Sequence, residues 1–313
     1  MLSYRHAFHA GNHADVLKHF VLVQLLRYLN QKDKPYWLVD SHAGAGCYAL
    51  DKGYATQNAE HAGGIARLWQ RNDLPPAVAD YLELVRSLNP DGKLRRYPGS
   101  PYIAMRLLRD QDRLRLFELH GTDNKLLREN FTRDFPADAR RVAIGQADGF
   151  LELKAVLPPP PRRGLVLIDP AYEDKRDYLR ALMTVKEGLA RFGTGMFALW
   201  YPQLNRGDAR ELPEKLKKLA DDWLNVALTV QAPAADGHGM HGSGMFVVNP
   251  PYTLAQTLRE TLPVLRDALA LDGAAGYVIE SSADGPATAR AGVPDRMNRE
   301  QSSSNPSNRR RRA

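Results

Sequence analysis

From Asp15 to Leu29 the apolar residues Val16, Leu17, Phe20, Val21, Leu25 and Tyr28 recur at helical spacing, with Asn12 and Asp15 as start signals. The short apolar run Tyr36-Trp37-Leu38-Val39 then ends on Asp40 and passes into Ser41-His42-Ala43-Gly44-Ala45-Gly46, the pattern of a strand entering a glycine turn. Further strands are predicted at Arg115 to Leu119, Arg141 to Ile144, Leu165 to Asp169, Met196 to Tyr201, Asn225 to Val230 and Met245 to Asn249. Helical stretches such as Lys125 to Phe131, Tyr178 to Arg191 and Leu212 to Leu219 lie between them. Strands alternating with helices predict an α/β fold with a mostly parallel, seven-stranded sheet covered on both faces.

Two segments break this rhythm. Residues 52–96 read as locally amphipathic helices interrupted at Pro75-Pro76, a small helical insertion that splits the sheet domain into 1–51 and 97–280. From Ser281 to Ala313 large apolar residues almost vanish and the chain closes on Arg309-Arg310-Arg311-Arg312, so 281–313 is expected to be a disordered basic tail. Pro158 to Pro161 reads as a stiff connection into the next buried strand.

Charge and composition narrow the class only a little. The 313 residues carry a net charge of +7, which favours an anionic partner such as nucleic acid. The tail holds seven Arg against three acids, however, so the rest of the chain is only mildly basic. The single Cys47 leaves no internal disulfide or multi-cysteine zinc site and fits a reducing compartment. There is no secretory signal pattern, and no run of the roughly 20 apolar residues that a membrane span requires. A cytoplasmic protein that acts as a monomer, off the membrane, is expected.

Candidate chemistry gathers where strands end. Gly44 and Gly46 after the first strand suit close approach to a ligand or merely a tight turn. Glu118 is either a carboxylate that bridges ribose hydroxyls or a surface acid, and Asp148 in Gln146-Ala147-Asp148-Gly149-Phe150 either receives an exocyclic amine or caps a helix. The apolar run Leu165 to Ile168 delivers Asp169-Pro170-Ala171-Tyr172. An adenine amino nitrogen is a poor nucleophile, because its lone pair is delocalised into the ring. The Asp169 carboxylate and the Pro170 carbonyl can accept its two hydrogens and localise that pair, and Tyr172 can stack on a base taken out of its helix.

Asn249-Pro250-Pro251-Tyr252 matches the [D/N]-P-P-[Y/F] signature of amino-group methyltransferases more completely. Too little chain follows it to finish the sheet, so we assign the chemistry to Asp169 and read Asn249 to Tyr252 as a turn. Four of the nine histidines, His6, His9, His13 and His19, crowd the first nineteen residues without a thiol or acid cluster, so no metal is expected. They read as a local network, or as an arm over the cofactor that touches RNA phosphates with Arg5 and Lys18. His238 and His241 sit in a glycine-rich loop read as a mobile lid.

The stretch from Ser3 to His19, with Asp40 to Gly46, Tyr97-Pro98-Gly99-Ser100-Pro101 and Asp169 to Tyr172, resembles the bacterial 23S ribosomal-RNA adenine-N6 methyltransferase J family. The resemblance implies a Rossmann-like class I S-adenosylmethionine-dependent methyltransferase acting on 23S ribosomal RNA. It also implies cofactor contacts at His19, His42, Ser100, Glu118, Asp148, Gly149 and Asp169, with Lys18 as partner of the cofactor's carboxylate. Tyr4 would meet the RNA, and Asp169 would accept the proton. Ala171 departs from the family's usual second proline. The rivals are a DNA adenine-N6 methyltransferase and a non-catalytic RNA-binding protein that retains the fold.

Overall fold

The computed structural model describes residues 6–51, 59–237 and 239–287. Tyr4 and Arg5, the first part of the insertion, His238 in the expected lid and the tail beyond 287 lie outside the described residues. The first helix, α1 (His13–Asn30), starts where Asn12 turns its side-chain oxygen onto the backbone N–H groups of Ala14 and Asp15, each at 3.0 Å. It is buried nearly all round, because other helices and the sheet enclose it.

The main sheet consists of β1 (Trp37–Asp40), β4 (Arg113–Phe117), β5 (Val142–Gly145), β6 (Gly164–Ile168), β7 (Met196–Gln203), β8 (Trp223–Thr229), β9 (Gly242–Val248) and β10 (Gly276–Ser281). Their spatial order is β10-β8-β9-β7-β6-β1-β4-β5. That is eight strands where the pattern predicts seven, because β10 pairs antiparallel along the edge of β8. A separate two-stranded ribbon, β2 (Cys47–Ala49) with β3 (Arg96–Pro98), has no counterpart in the predicted strands.

Strands β5, β4, β1, β6 and β7 are mutually parallel. Leu165 and Leu167 of β6 enter the core on one face of the sheet, Val166 and Ile168 the core on the other. Burial on both faces explains why β6 reads as an unbroken apolar run. The chain leaves β1 for β4 and β5 on one side, then returns through β6 to β7 on the other. The carboxyl ends of β1 and β6 therefore frame a topological switch point, where open α/β sheets place ligands.

The same topology disposes of the second signature. Strand β9 runs antiparallel to β7, so it delivers Asn249 to the opposite edge of the sheet from Asp169. There Asn249 donates from Nδ2 to the carbonyls of Gly193 (2.9 Å) and Gly195 (2.7 Å), with its own backbone at φ 51°. It is a structural turn.

Between β2 and β3 lie the short helices α2 (Ala66–Trp69) and α3 (Pro76–Arg86), packed against α1 and against α9 (Leu254–Leu269). Tyr81 of α3 hydrogen-bonds Tyr97 at 2.9 Å, and Tyr97 bonds His19 Nδ1 at 2.7 Å, so this segment reaches the wall of the switch-point cleft.

Candidate active site

The turn after β1 carries Gly44 and Gly46 at φ 59° and 79°, backbone that side chains with a Cβ rarely adopt. Here the Gly44 N–H donates to Glu118 Oε2 at 2.8 Å, and the His120 N–H donates to Oε1 at 2.7 Å. Burial raises the Glu118 pKa, and those two N–H groups temper the rise. Asp148 caps α6 (Gly149–Val156) by accepting from the Phe150 N–H. Its second oxygen is paired with Arg180 of α7 (Arg176–Arg191), whose guanidinium lies 4.4 Å over the Phe150 ring. A Cβ at Gly149 would sit 1.9 Å from the Ser41 carbonyl oxygen, so only glycine lets α6 come this close to the β1 turn.

These elements enclose a cleft of about 930 Å³, open to solvent. Lys18, His19, His42, Ser100, Glu118, Asp148, Gly149, Asp169 and Pro170 all line it. Residues scattered over 150 positions of sequence thus meet at one sheet edge. Burial pushes His42 down to about 4 and His19 down to about 3, so both are neutral at physiological pH. Ser100 donates to Asp40 Oδ2 at 2.7 Å, and burial pushes Asp40 up to about 7.

A second cleft of about 680 Å³ shares His6, Lys18, Asp169 and Ala171 with the first and continues over Asp15, Tyr172, Trp200, Leu204 and Met240. The expected cofactor-carboxylate partner Lys18 lies in the wall between the two. Its ammonium is held by Asp169 Oδ2 at 2.5 Å and Asp15 Oδ1 at 2.9 Å, so its charge is already engaged by protein carboxylates. Burial opposes the Lys18 charge, but Asp15 and Asp169 outweigh it and raise the pKa. Burial raises the Asp169 pKa, restrained by Lys18 and His6.

Tyr172 borders the second cleft yet is only 5% exposed. Its hydroxyl donates to the Trp200 carbonyl at 2.8 Å, and its ring packs 4.5 Å from that of Tyr178. The expectation of an open stacking face is therefore corrected: Tyr172 braces the turn after β6. The histidines form a network, with His6 Nε2 at 3.0 Å from Asp15 and His9 Nδ1 at 2.9 Å from Glu60. Among the described residues no group of three or more His, Cys, Asp or Glu is arranged to hold a metal, and no helix is long and apolar enough to cross a membrane.

Several lining residues escape a reading by sequence. Arg180 has no local signal, since helix packing alone brings it over Phe150. Phe150 stands directly after the Asp148-Gly149 pair and could have been included. Asp15 reads only as a helix start, because its partners Gly11 and His6 lie in an irregular arm and the i,i+3 spacing to Lys18 is by itself an ordinary helical pair.

The lining of the first cleft sets six carboxylates, Glu118, Asp123, Asp148, Asp169, Glu173 and Asp177, against Lys18 and Arg180. Such a surface suits a cationic ligand, and the residues fit S-adenosylmethionine, with its sulfonium and ammonium charges. A Rossmann-like sheet with an acid after β4, a capping acid after β5 and the Asp169 turn after β6 defines the class I methyltransferase fold. A family model described as ribosomal RNA large subunit methyltransferase D, RlmJ, matches residues 33–280, and the chain belongs to this family.

The chain is 48% identical over 270 residues to ribosomal RNA large subunit methyltransferase J of Escherichia coli, covering 86% of this chain and 94% of that one. It is 44% identical over 282 residues to the protein of the same name from Haemophilus influenzae, covering 90% and 98%. Its fold is similar to that of a Legionella pneumophila protein of known crystal structure, with a TM-score of 0.80 at 36% identity over 87% of this chain and 98% of that chain.

Proposed function

We propose that this chain is a large-subunit ribosomal RNA methyltransferase that uses S-adenosylmethionine to methylate N6 of an adenine in 23S RNA. The observation that carries the reading is the meeting of two clefts at Asp169 and Lys18, an arrangement suited to bringing a donor and an acceptor together from opposite sides. Both named relatives are ribosomal RNA large subunit methyltransferases, which supports RNA over DNA as substrate.

The first cleft is assigned to the cofactor, through His19, His42, Ser100, Glu118, Asp148, Gly149 and Asp169, and the second to the adenine. S-adenosylmethionine supplies an electrophilic methyl group on its sulfonium when bound. Asp169 accepts one hydrogen of the adenine amine and the Pro170 carbonyl the other, which localises the nitrogen lone pair. As the new C–N bond forms and the methyl carbon's bond to sulfur breaks, with its electron pair left on sulfur, Asp169 takes up the proton from the nitrogen. Its raised pKa suits that uptake better than an ordinary carboxylate would. Lys18 keeps Asp169 ionised between turnovers.

The proposal includes residues 1–51 and 97–280 as the methyltransferase domain, 52–96 as an insertion and Tyr4 as an RNA contact. A cytoplasmic monomer with 23S RNA as its partner is the state in which we place it. Tritium transfer from labelled S-adenosylmethionine to ribosomal RNA and to DNA tests the reading. Transfer to RNA that Asp169→Ala abolishes while circular dichroism stays native supports it; transfer to DNA alone, or normal turnover by the variant, overturns it.

A further inference from the structure

Asp15 sits in the first turn of α1 and is 2% exposed. An acid there usually serves the helix by capping its free N–H groups, but Asn12 already does that work. The Asp15 carboxylate instead links α1 to the arm before it. One oxygen meets the Lys18 ammonium at 2.9 Å; the other accepts from the Gly11 N–H at 2.9 Å and pairs with His6 Nε2 at 3.0 Å. Asp15 also lines the second cleft, beside Asp169.

We propose that Asp15 is a positioning residue for methyl transfer: it shares the Lys18 ammonium with Asp169 and thereby keeps the Asp169 carboxylate available to the adenine amine. The inference rests on the preceding assignment of Asp169 as proton acceptor. Without Asp15, Lys18 would turn its whole charge on Asp169, only 2.5 Å away, and hold it as a tight, poorly basic ion pair. The groups that face Asp169 are Lys18 and Asp15 from α1, His6 from the arm before it, and Asp40 from β1. Among these, Asp15 acts to raise the Asp169 pKa, whereas Lys18 and His6 act to lower it. Loss of the Asp15 charge thus lowers it.

The test is a carbon-13 NMR titration of the Asp169 carboxyl in the full chain, assigned by the signal lost in Asp169→Asn and repeated in Asp15→Asn. The expected result is a titration midpoint at lower pH in Asp15→Asn, with kcat down about tenfold and KM for S-adenosylmethionine within about threefold of wild type. A merely structural Asp15 would lower the melting temperature and leave the midpoint in place, and an unmoved or raised midpoint overturns the proposal. Should Asp15→Asn fail to fold, Asp15→Ser makes the same change of charge in a smaller side chain. Wild-type protein that moves no methyl group to 23S RNA sinks the functional reading, whereas active wild type with an unmoved midpoint sinks only the role of Asp15.

Discussion

Replacing Lys18 by Met removes a cation shared by the buried Asp15 and the largely buried Asp169. The methionine fills much the same space, so the change is mainly one of charge. Lys18 is 3% exposed and bonded to Asp15 at 2.9 Å and to Asp169 at 2.5 Å. Breaking a buried ion pair from one side costs about 3–5 kcal/mol, because the remaining charge keeps its desolvation penalty without compensation. For a domain of this size that is a fall of roughly 10 °C in melting temperature.

The loss should depend on pH, and its sign follows from the two carboxyls. Asp169 is already raised by burial, and without Lys18 it rises further. A carboxyl raised in the folded state holds its proton more tightly than in the unfolded chain, so stability falls as pH rises from the unfolded value through the folded one. Asp15, held well below its ordinary value against burial by His6, Lys18 and His19, contributes stability above the unfolded value, and it loses part of that support. Both effects make the deficit small near about pH 4 and full near about pH 8. Thermal melts of wild type and Lys18→Met at both pH values measure it. In the double variant Lys18→Met/Asp169→Asn, which leaves no unpaired charge on Asp169, a good part of the loss at the higher pH should return. A deficit of equal size at both pH values, or none, would refute the reasoning.

Glu118→Gln should weaken S-adenosylmethionine binding about tenfold by calorimetry, because one amide oxygen cannot accept from both Gly44 and His120 and still serve a ligand. Asp40→Asn should flatten the fall in stability between about pH 4 and pH 7. Asp40 is raised by burial to about 7 in the folded state, so the wild type loses stability as pH rises through that window; a melting curve of unchanged slope would count against it. Asn249→Ala should cost about 1–3 kcal/mol in urea unfolding, through the loss of two hydrogen bonds to carbonyls, and should leave methyl transfer intact. Lost activity in a folded Asn249→Ala protein would return the second signature to the chemistry.

Much of the site is legible in the sequence because class I sheets put their chemistry just past strand ends, and strand ends can be read from apolar runs. Leu165 to Ile168 announces a doubly buried strand, and Asp169 is simply the next residue. Glu118 and Asp148 follow by the same logic, and all eight expected cofactor residues line one cleft. The sequence pattern sets the two signatures apart by counting the strands left over, and the direction of β9 places them at opposite ends of the strands.

What the linear pattern determines is thus the alternation of elements, the class of fold and the residues at strand ends, since each depends on local periodicity and local polarity. The tertiary structure alone decides how those residues are paired. Lys18 and Asp169, 151 positions apart, meet because the fold sets the start of α1 beside the turn that follows β6. That contact makes Lys18, expected to partner the cofactor's carboxylate, a counter-ion of Asp169. Tyr172 becomes a buried brace because β7 brings the Trp200 carbonyl to its hydroxyl. Arg180 reaches Asp148 and Phe150 in the same way, through contacts that only packing supplies. Charge interactions and burial act through space, so their outcome is set by the fold and has no trace in the spacing of residues along the chain.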